Sequence, residues 1–265
     1  MVAGRHRPPI RYFAPNFFTG VSLLFALASI LNTVDGNYSL AGWFILWCVL
    51  LDKLDGTVAR LLKATSSFGV EFDSLADLLA FGVAPVVLLY KFLTSSAETG
   101  VIFADGLAHV TLICGLGFYM LAVAVRLARY NIKSMPFGDR FFYGLPTTLV
   151  GALLAAVLLT HLKYTLADWV LLLYPLFLFA GGIFMVSNLR IPKLVRRKNR
   201  TVNLLQWTNV LVVYTFGVFQ LFPEYLLASG VFYAVVGVGY CLITSKQFRL
   251  NLSASSDSTT PSPHG

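Results

Sequence analysis

Apolar runs long enough to cross a bilayer fill most of this chain, and they restrict its fold more than any other feature. AGWFILWCVL and LLAFGVAPVVLLY are two samples. A helix needs about 20 apolar residues to span hydrocarbon, because its backbone polar groups must be satisfied within the segment. Set against turn residues, the runs predict eight spans, at about 14–33, 38–62, 69–93, 106–130, 143–162, 167–188, 204–222 and 225–244. Nothing alternates with the period of a barrel strand, which argues against an outer-membrane barrel. Only 12% of residues are charged, whereas a soluble domain carries about a quarter. The expectation is an all-α, polytopic transmembrane bundle. Residues 1–245 make one membrane-embedded domain in this reading, and the polar stretch 246–265 is a disordered tail.

The charges sort by connection. Arg5, Arg7 and Arg11 precede the first span, and Arg60 and Lys63 lie between the second and third. Arg126, Arg129, Lys133 and Arg140 surround the fourth-to-fifth connection. Six more basic residues, from Arg190 to Arg200, follow the sixth span, and Lys246 and Arg249 follow the eighth. Of the 20 Lys and Arg, 17 fall on one side. The positive-inside rule therefore predicts that both termini are cytoplasmic. Topology explains the net charge of +8 without a nucleic-acid partner. The run RIPKLVRRKNR fits either topology or contact with membrane-lipid headgroups. The first run continues past Ala26-Leu27-Ala28 to Leu31, so it reads as an uncleaved span rather than a secretory signal. Cys48, Cys114 and Cys241 lie far apart in apolar runs and read as buried, inert thiols.

Against this background, LDKLDGTVARLLKATSSFGVEFDSLAD (51–77) is anomalous. On a helix Asp52 and Asp55 share a face, and Gly56, Ala59 and Arg60 fall on the same side within roughly 140°. Gly69, Asp73 and Asp77 repeat the device at intervals of four. The short turn KATSS makes the two helices antiparallel neighbours, so both acidic faces can meet near the cytoplasmic end. Four carboxylates in a low-dielectric setting cannot all stay ionised without a cation. Lys53 points about 100° from Asp52, and one Arg60 cannot neutralise four acids. An oxygen-only set suits a hard divalent ion, Mg²⁺ or Mn²⁺, and four carboxylates suit two of them. Gly56, Ala59 and Gly69 leave room for a substrate beside the helix backbones, and Arg60 is placed to hold a phosphate oxygen. Close helix packing is the plainer explanation of those small residues.

Intramembrane acids also occur in cation-coupled transporters, which is the rival class. Transporters tend to carry repeated, broken spans in matching halves. No second copy of the acidic pattern follows Asp77; the later acids are Glu98, Asp105, Asp139, Asp168, Glu224 and Asp257, in loops, at span ends or in the tail.

The pattern Asp52-x2-Asp55-Gly56-x2-Ala59-Arg60-x8-Gly69-x3-Asp73-x3-Asp77 resembles, at all eight fixed residues over 26 positions, the signature of the CDP-alcohol phosphatidyltransferases. The resemblance implies transfer of a phosphatidyl group from a CDP-linked donor to an alcohol, with release of CMP. It implies that Asp52, Asp55, Asp73 and Asp77 bind a binuclear Mg²⁺ or Mn²⁺ centre, with Asp77 also the general base. Gly56, Ala59, Arg60 and Gly69 would line the CDP pocket. Asn16 and Thr19, in PNFFT, resemble a motif close to the nucleotide, with a plain helix cap as the alternative. VRLARYNI, FFYGLPTT and FMVSNLRIP are similar to the bacterial branch whose donor is CDP-diacylglycerol and whose acceptor is L-serine. That branch implies an eight-span homodimer in the cytoplasmic membrane. Arg126 or Arg129 would then bind the serine carboxylate, with Asn131 nearby. Glycerol phosphate or inositol phosphate would want the same cation, so the related synthases that use those acceptors stay open.

Overall fold

The structure is a computed structural model that describes residues 13–62, 66–95, 99–132, 141–165, 168–192 and 200–239. Arg5, Arg7, Arg11, Lys63, Glu98, Lys133, Asp139, Arg140, Lys193, Arg196, Arg197, Lys198, Cys241 and the 246–265 tail lie outside the described residues.

The chain is a helix bundle, and helix occupies most of the described part of each of the eight expected segments. They are α1 (Phe13–Val34), α2 (Tyr38–Leu61), α3 (Ser67–Asp77), α4 (Ala84–Ser95), the short α5 (Gly100–Phe103), α6 (Gly106–Ile132), α7 (Thr147–Tyr164), the short α8 (Asp168–Leu172), α9 (Tyr174–Val186) and α10 (Arg200–Val218). A further apolar helix, α11, spans Pro223–Gly239. Among the described residues, four stretches are long and apolar enough to cross a membrane: Ala14–Val34, Ser67–Ser95, Gly106–Ile132 and Thr147–Tyr164. Helix α2 has the length, but Asp52, Lys53, Asp55 and Arg60 lie within it.

Local chemistry explains the boundaries. Helix α1 stops at Gly36, whose φ of +81° suits a residue without a side chain. There Asn37 N–H bonds Asn32 C=O and Gly36 N–H bonds Thr33 C=O, the paired closure of a Schellman motif. Helix α3 opens at Ser66, whose hydroxyl accepts from Gly69 N–H at 3.0 Å. Between α3 and α4 the helix widens into a π turn over Leu78–Val83. The segment expected at 143–162 begins later, at Thr147, because Phe141–Tyr143 (β1) pairs antiparallel with Arg190–Pro192 (β2). The 167–188 segment is interrupted at Leu173, just before Pro175.

The core lies where α2, the π turn, α4, α6 and α7 converge, around Ile45, Phe81, Leu88, Tyr119 and Leu158. Small polar residues bring α1 and α2 together, with Ser29 Oγ donating to Ala41 C=O at 2.9 Å and Cys48 Sγ to Ser22 C=O at 3.3 Å. Cys48 is buried as expected, whereas Cys114 is exposed, because it lies on the outer side of α6. Trp47 Nε1 donates to Gly217 C=O at 2.8 Å and ties α10 to α2.

The β1–β2 ribbon joins two segments that look unrelated in sequence. Past it, Gly144 N–H bonds Leu189 C=O and Leu145 N–H bonds Phe184 C=O, which fastens the start of α7 to the end of α9. Gly144 has φ +74°, and a Cβ there would run into the Met185 carbonyl oxygen. Gly144→Ala should therefore destabilise the fold by about 1–3 kcal/mol, read as a lower thermal midpoint in detergent. An unchanged midpoint would show that this crossing tolerates a side chain.

Candidate metal and substrate site

The acidic residues stand on α2 and α3 at matched depths. Asp55 is seven residues before Leu62 and Asp73 seven after Ser66, so each lies about 10 Å along its helix from the connection. Asp52 and Asp77 lie a further turn away, at about 16 Å. One carboxylate oxygen from each of Asp52, Asp55 and Asp73 falls within 4.8 Å of the other two. Asp77 stands one turn beyond Asp73 and within electrostatic reach of Asp52, Asp73 and Asp55. This all-oxygen cluster fits a hard divalent cation, which accepts carboxylates at about 2.0–2.6 Å.

The two helices are not packed against each other as closely as the short turn suggests. Helix α1 lies along α2 and also contacts α3, and the carboxylates meet across the opening that remains. Two α1 residues reach into this region. Thr19, fully buried, donates its hydroxyl to Asp55 Oδ2 at 3.0 Å and to Pro15 C=O at 3.2 Å. Asn16 Oδ1 sits 3.1 Å from the point where a Gly69 Cβ would stand, so Gly69 admits α1 to α3. Both residues lie inside α1, which excludes the helix-cap alternative.

Lys53 departs from helical arithmetic. Its long side chain curls back across the 100° offset, and Nζ meets Asp52 Oδ2 at 3.0 Å. It neutralises one oxygen at the rim, being far more exposed than Asp52. Nothing lies within 4 Å of a Cβ added at Gly56, so that position opens onto free space. Arg60 is exposed and its Nη2 lies 3.4 Å from Thr57 Oγ1. Ala59 is half-buried on the same helix.

The three residues of α6 separate into different surroundings. Arg129 Nη1 donates to Val186 C=O at 2.8 Å and to Asn188 Oδ1 at 3.3 Å, closing the C-terminal end of α9. Asn131 Nδ2 donates to Ser74 Oγ at 3.1 Å and Glu71 Oε2 at 3.3 Å, bracing α6 against α3. Arg126 lies 3.4 Å from Thr147 Oγ1 through Nη1 and feels the charges of Asp77 and Asp52. Its Nε is buried with no hydrogen-bond partner among the described residues.

Several of these partners escape a reading of the sequence. Ser74 and Glu71 sit between the conspicuous aspartates, and Thr147 gains meaning only when α7 is docked. Tyr214 on α10 lies within electrostatic reach of Lys53 and Asp52, although about 160 residues separate them in the chain. Ser66 has a signal that could have found it, since a serine just before an amphipathic run is a common cap.

The sequence is similar to those of known proteins. Residues 12–187 match the model of the CDP-alcohol phosphatidyltransferase family. The chain is 35% identical over 189 residues to the CDP-diacylglycerol–serine O-phosphatidyltransferase of Helicobacter pylori, covering 71% of this chain and 75% of that one. It is 28% identical over 223 residues to the enzyme of that name from Methanocaldococcus jannaschii, covering 82% and 90%. An archaetidylserine synthase of Methanothermobacter thermautotrophicus is 28% identical over 167 residues, covering 62% and 63%. With the complete aspartate signature on α2 and α3 and a family match over most of its length, the chain belongs to the CDP-alcohol phosphatidyltransferases.

Proposed function

We propose that this chain is a CDP-diacylglycerol–serine O-phosphatidyltransferase, a phosphatidylserine synthase. The convergence of the Asp52, Asp55 and Asp73 carboxylates within 4.8 Å carries the reading. The names of its relatives support serine as the acceptor. In the reaction the serine hydroxyl oxygen attacks the β-phosphorus of CDP-diacylglycerol. A new P–O bond forms, the bond to the CMP oxygen breaks, and CMP leaves. Asp77 takes the hydroxyl proton, which makes a weak nucleophile competent.

Asp52, Asp55 and Asp73, joined by Asp77, would hold two Mg²⁺ or Mn²⁺ ions. Bound there, such ions would supply positive charge for the pyrophosphate and the departing CMP. Thr19 holds Asp55 in place by donating to one of its oxygens, Oδ2. Asn16, Gly56, Ala59, Arg60 and Gly69 border the donor pocket, with open space at Gly56 for the nucleotide. Acceptor binding falls to Arg126, whose Nε awaits a partner. Arg129 and Asn131 support it by holding α9 and α3 to α6.

In the full proposal all eight helical segments lie in the bacterial cytoplasmic membrane as one domain over 1–245, with both termini and the site facing the cytoplasm. The bias of Lys and Arg supports that orientation. A lipid donor then reaches the site through the bilayer and a soluble acceptor from water. The family resemblance supports a homodimer.

Purified protein given CDP-diacylglycerol and Mn²⁺ or Mg²⁺ should release CMP with serine, and not with glycerol 3-phosphate or inositol phosphate. Release with glycerol 3-phosphate alone would sink the serine assignment. Asp77→Asn should keep the fold and donor binding while kcat falls by about 10²–10⁴; full activity would remove Asp77 from its role. Thr19→Val should raise the Mn²⁺ concentration for half-activation by about 10–100-fold, and Thr19→Ser should restore it. Equal metal requirements in all three proteins would show that Thr19 does not tune Asp55.

A further inference from the structure

The π turn directly after Asp77 has a cause that can be read from the sequence. Pro85 has no N–H, and a proline ring inside a helix collides with the carbonyl four residues earlier. That carbonyl belongs to Phe81. The chain widens instead, so that Ala84 N–H bonds Leu79 C=O five residues back. One extra residue in the turn rotates the helix downstream by about 100° relative to Asp73 and Asp77. The Phe81 carbonyl, deprived of an α-helical donor at Pro85, receives one from another helix. Tyr119 Oη on α6 donates to it at 2.6 Å.

This contact is dry. Tyr119 and Phe81 are both fully buried. Helix α7 closes the other side of Phe81, where a Cβ added at Gly151 would come 3.1 Å from Phe81 Cβ. A hydroxyl–carbonyl bond in such surroundings fixes one helix against another, since breaking it strands a buried polar group. Tyr119 is also seven residues from Arg126 on the same helix, two turns along the same face. The bond that holds α6 to the π turn therefore sets how far along the bundle Arg126 stands from Asp77.

We infer that Tyr119 is a positioning residue for the acceptor: through the Phe81 carbonyl it registers α6, and with it Arg126, against the proline-broken helix that carries Asp77. The inference rests on the reading of Arg126 as the acceptor cation. Asp52, Asp55 and Asp73 converge from α2 and α3, and Asp77 joins them from the last turn of α3, ahead of the π turn. Loss of the Tyr119 hydroxyl therefore disturbs α6 and the acceptor side and spares the metal and donor side.

The test compares full-length wild type with Tyr119→Phe in the same lipid–detergent mixture. It measures kcat, KM for serine, KM for CDP-diacylglycerol, and Mn²⁺ binding by electron paramagnetic resonance. Tyr119→Phe should raise the serine KM about five- to twenty-fold and lower kcat up to about tenfold. Donor KM and Mn²⁺ affinity should stay within about twofold. Pro85→Ala gives the Phe81 carbonyl a backbone donor and should show the same serine-side defect. The double variant should be no worse than the more impaired single one, because both changes act through one carbonyl. Unchanged serine parameters in Tyr119→Phe, or donor KM and Mn²⁺ binding weakened to the same degree as serine, would overturn the inference. So would defects that multiply in the double variant. Wild-type protein that turns over no serine would overturn the proposed function and this inference together, whereas serine turnover indifferent to Tyr119→Phe overturns the inference alone.

Discussion

Carboxylates packed close together in a low-dielectric bundle repel one another and lose hydration, and the architecture around α2 and α3 answers that problem. Three partial remedies come from protein. Thr19 donates to Asp55, Lys53 folds back onto Asp52, and the opening between α2 and α3 keeps the acids from being sealed off. None of these supplies enough positive charge for four acids. A bound divalent cation would, and the oxygens of Asp52, Asp55 and Asp73 are already close enough to share one. The stability of this region and its proposed chemistry thus depend on the same charge balance.

Much of this was visible in the sequence because hydrophobic length and helical period are strong signals. Helix boundaries at α1, α2 and α6 follow from apolar runs ended by Gly36, by the KATSS turn and by the basic residues after Arg126. The carboxylate cluster followed from intervals of three and four. What stayed hidden depends on tertiary contact. Helix periodicity gave Lys53 the wrong direction, because a four-carbon stem can cross a 100° offset that a short side chain cannot. Arg126 and Arg129 were indistinguishable three residues apart, and only the docking of α9 separates an arginine bonded to the Val186 carbonyl from one with an unpartnered Nε. Cys114 looked buried because its neighbours are apolar, yet in a membrane protein the outer surface is apolar too. The π turn had a sequence mark in Pro85, although a proline within an apolar run does not by itself say whether the helix will kink, break or widen.

The ribbon and the helix ends around it deepen the division between donor and acceptor chemistry. FFYGLPTT and FMVSNLRIP, two of the segments similar to the serine-using branch, hydrogen-bond to each other through Phe141–Tyr143 and Arg190–Pro192. Their pairing sets the start of α7 beside α6, where Thr147 lies 3.4 Å from Arg126, and it places the end of α9 where Arg129 can bond it. The aspartate signature on α2 and α3 would serve any CDP-linked donor. Acceptor choice, in the proposed enzyme, resides in this second layer built from α6, α7, α9 and the ribbon.

In the proposed enzyme that separation would let the acceptor side change while the transfer chemistry is kept. Helix α6 touches both layers: Tyr119 grips the helix of Asp77, and Arg126 and Arg129 face the ribbon end. A shift of α6 by one turn would move the cation by about 5 Å relative to Asp77, more than the tolerance of a hydroxyl poised for in-line attack. Acceptors of different length can thus be matched by altering where α6 is held and what surrounds Arg126, with the carboxylates left untouched. In the proposed enzyme the proline at 85 and the hydroxyl at 119 would set that register, and so tune how the alcohol is placed, while the aspartates would serve the transfer itself.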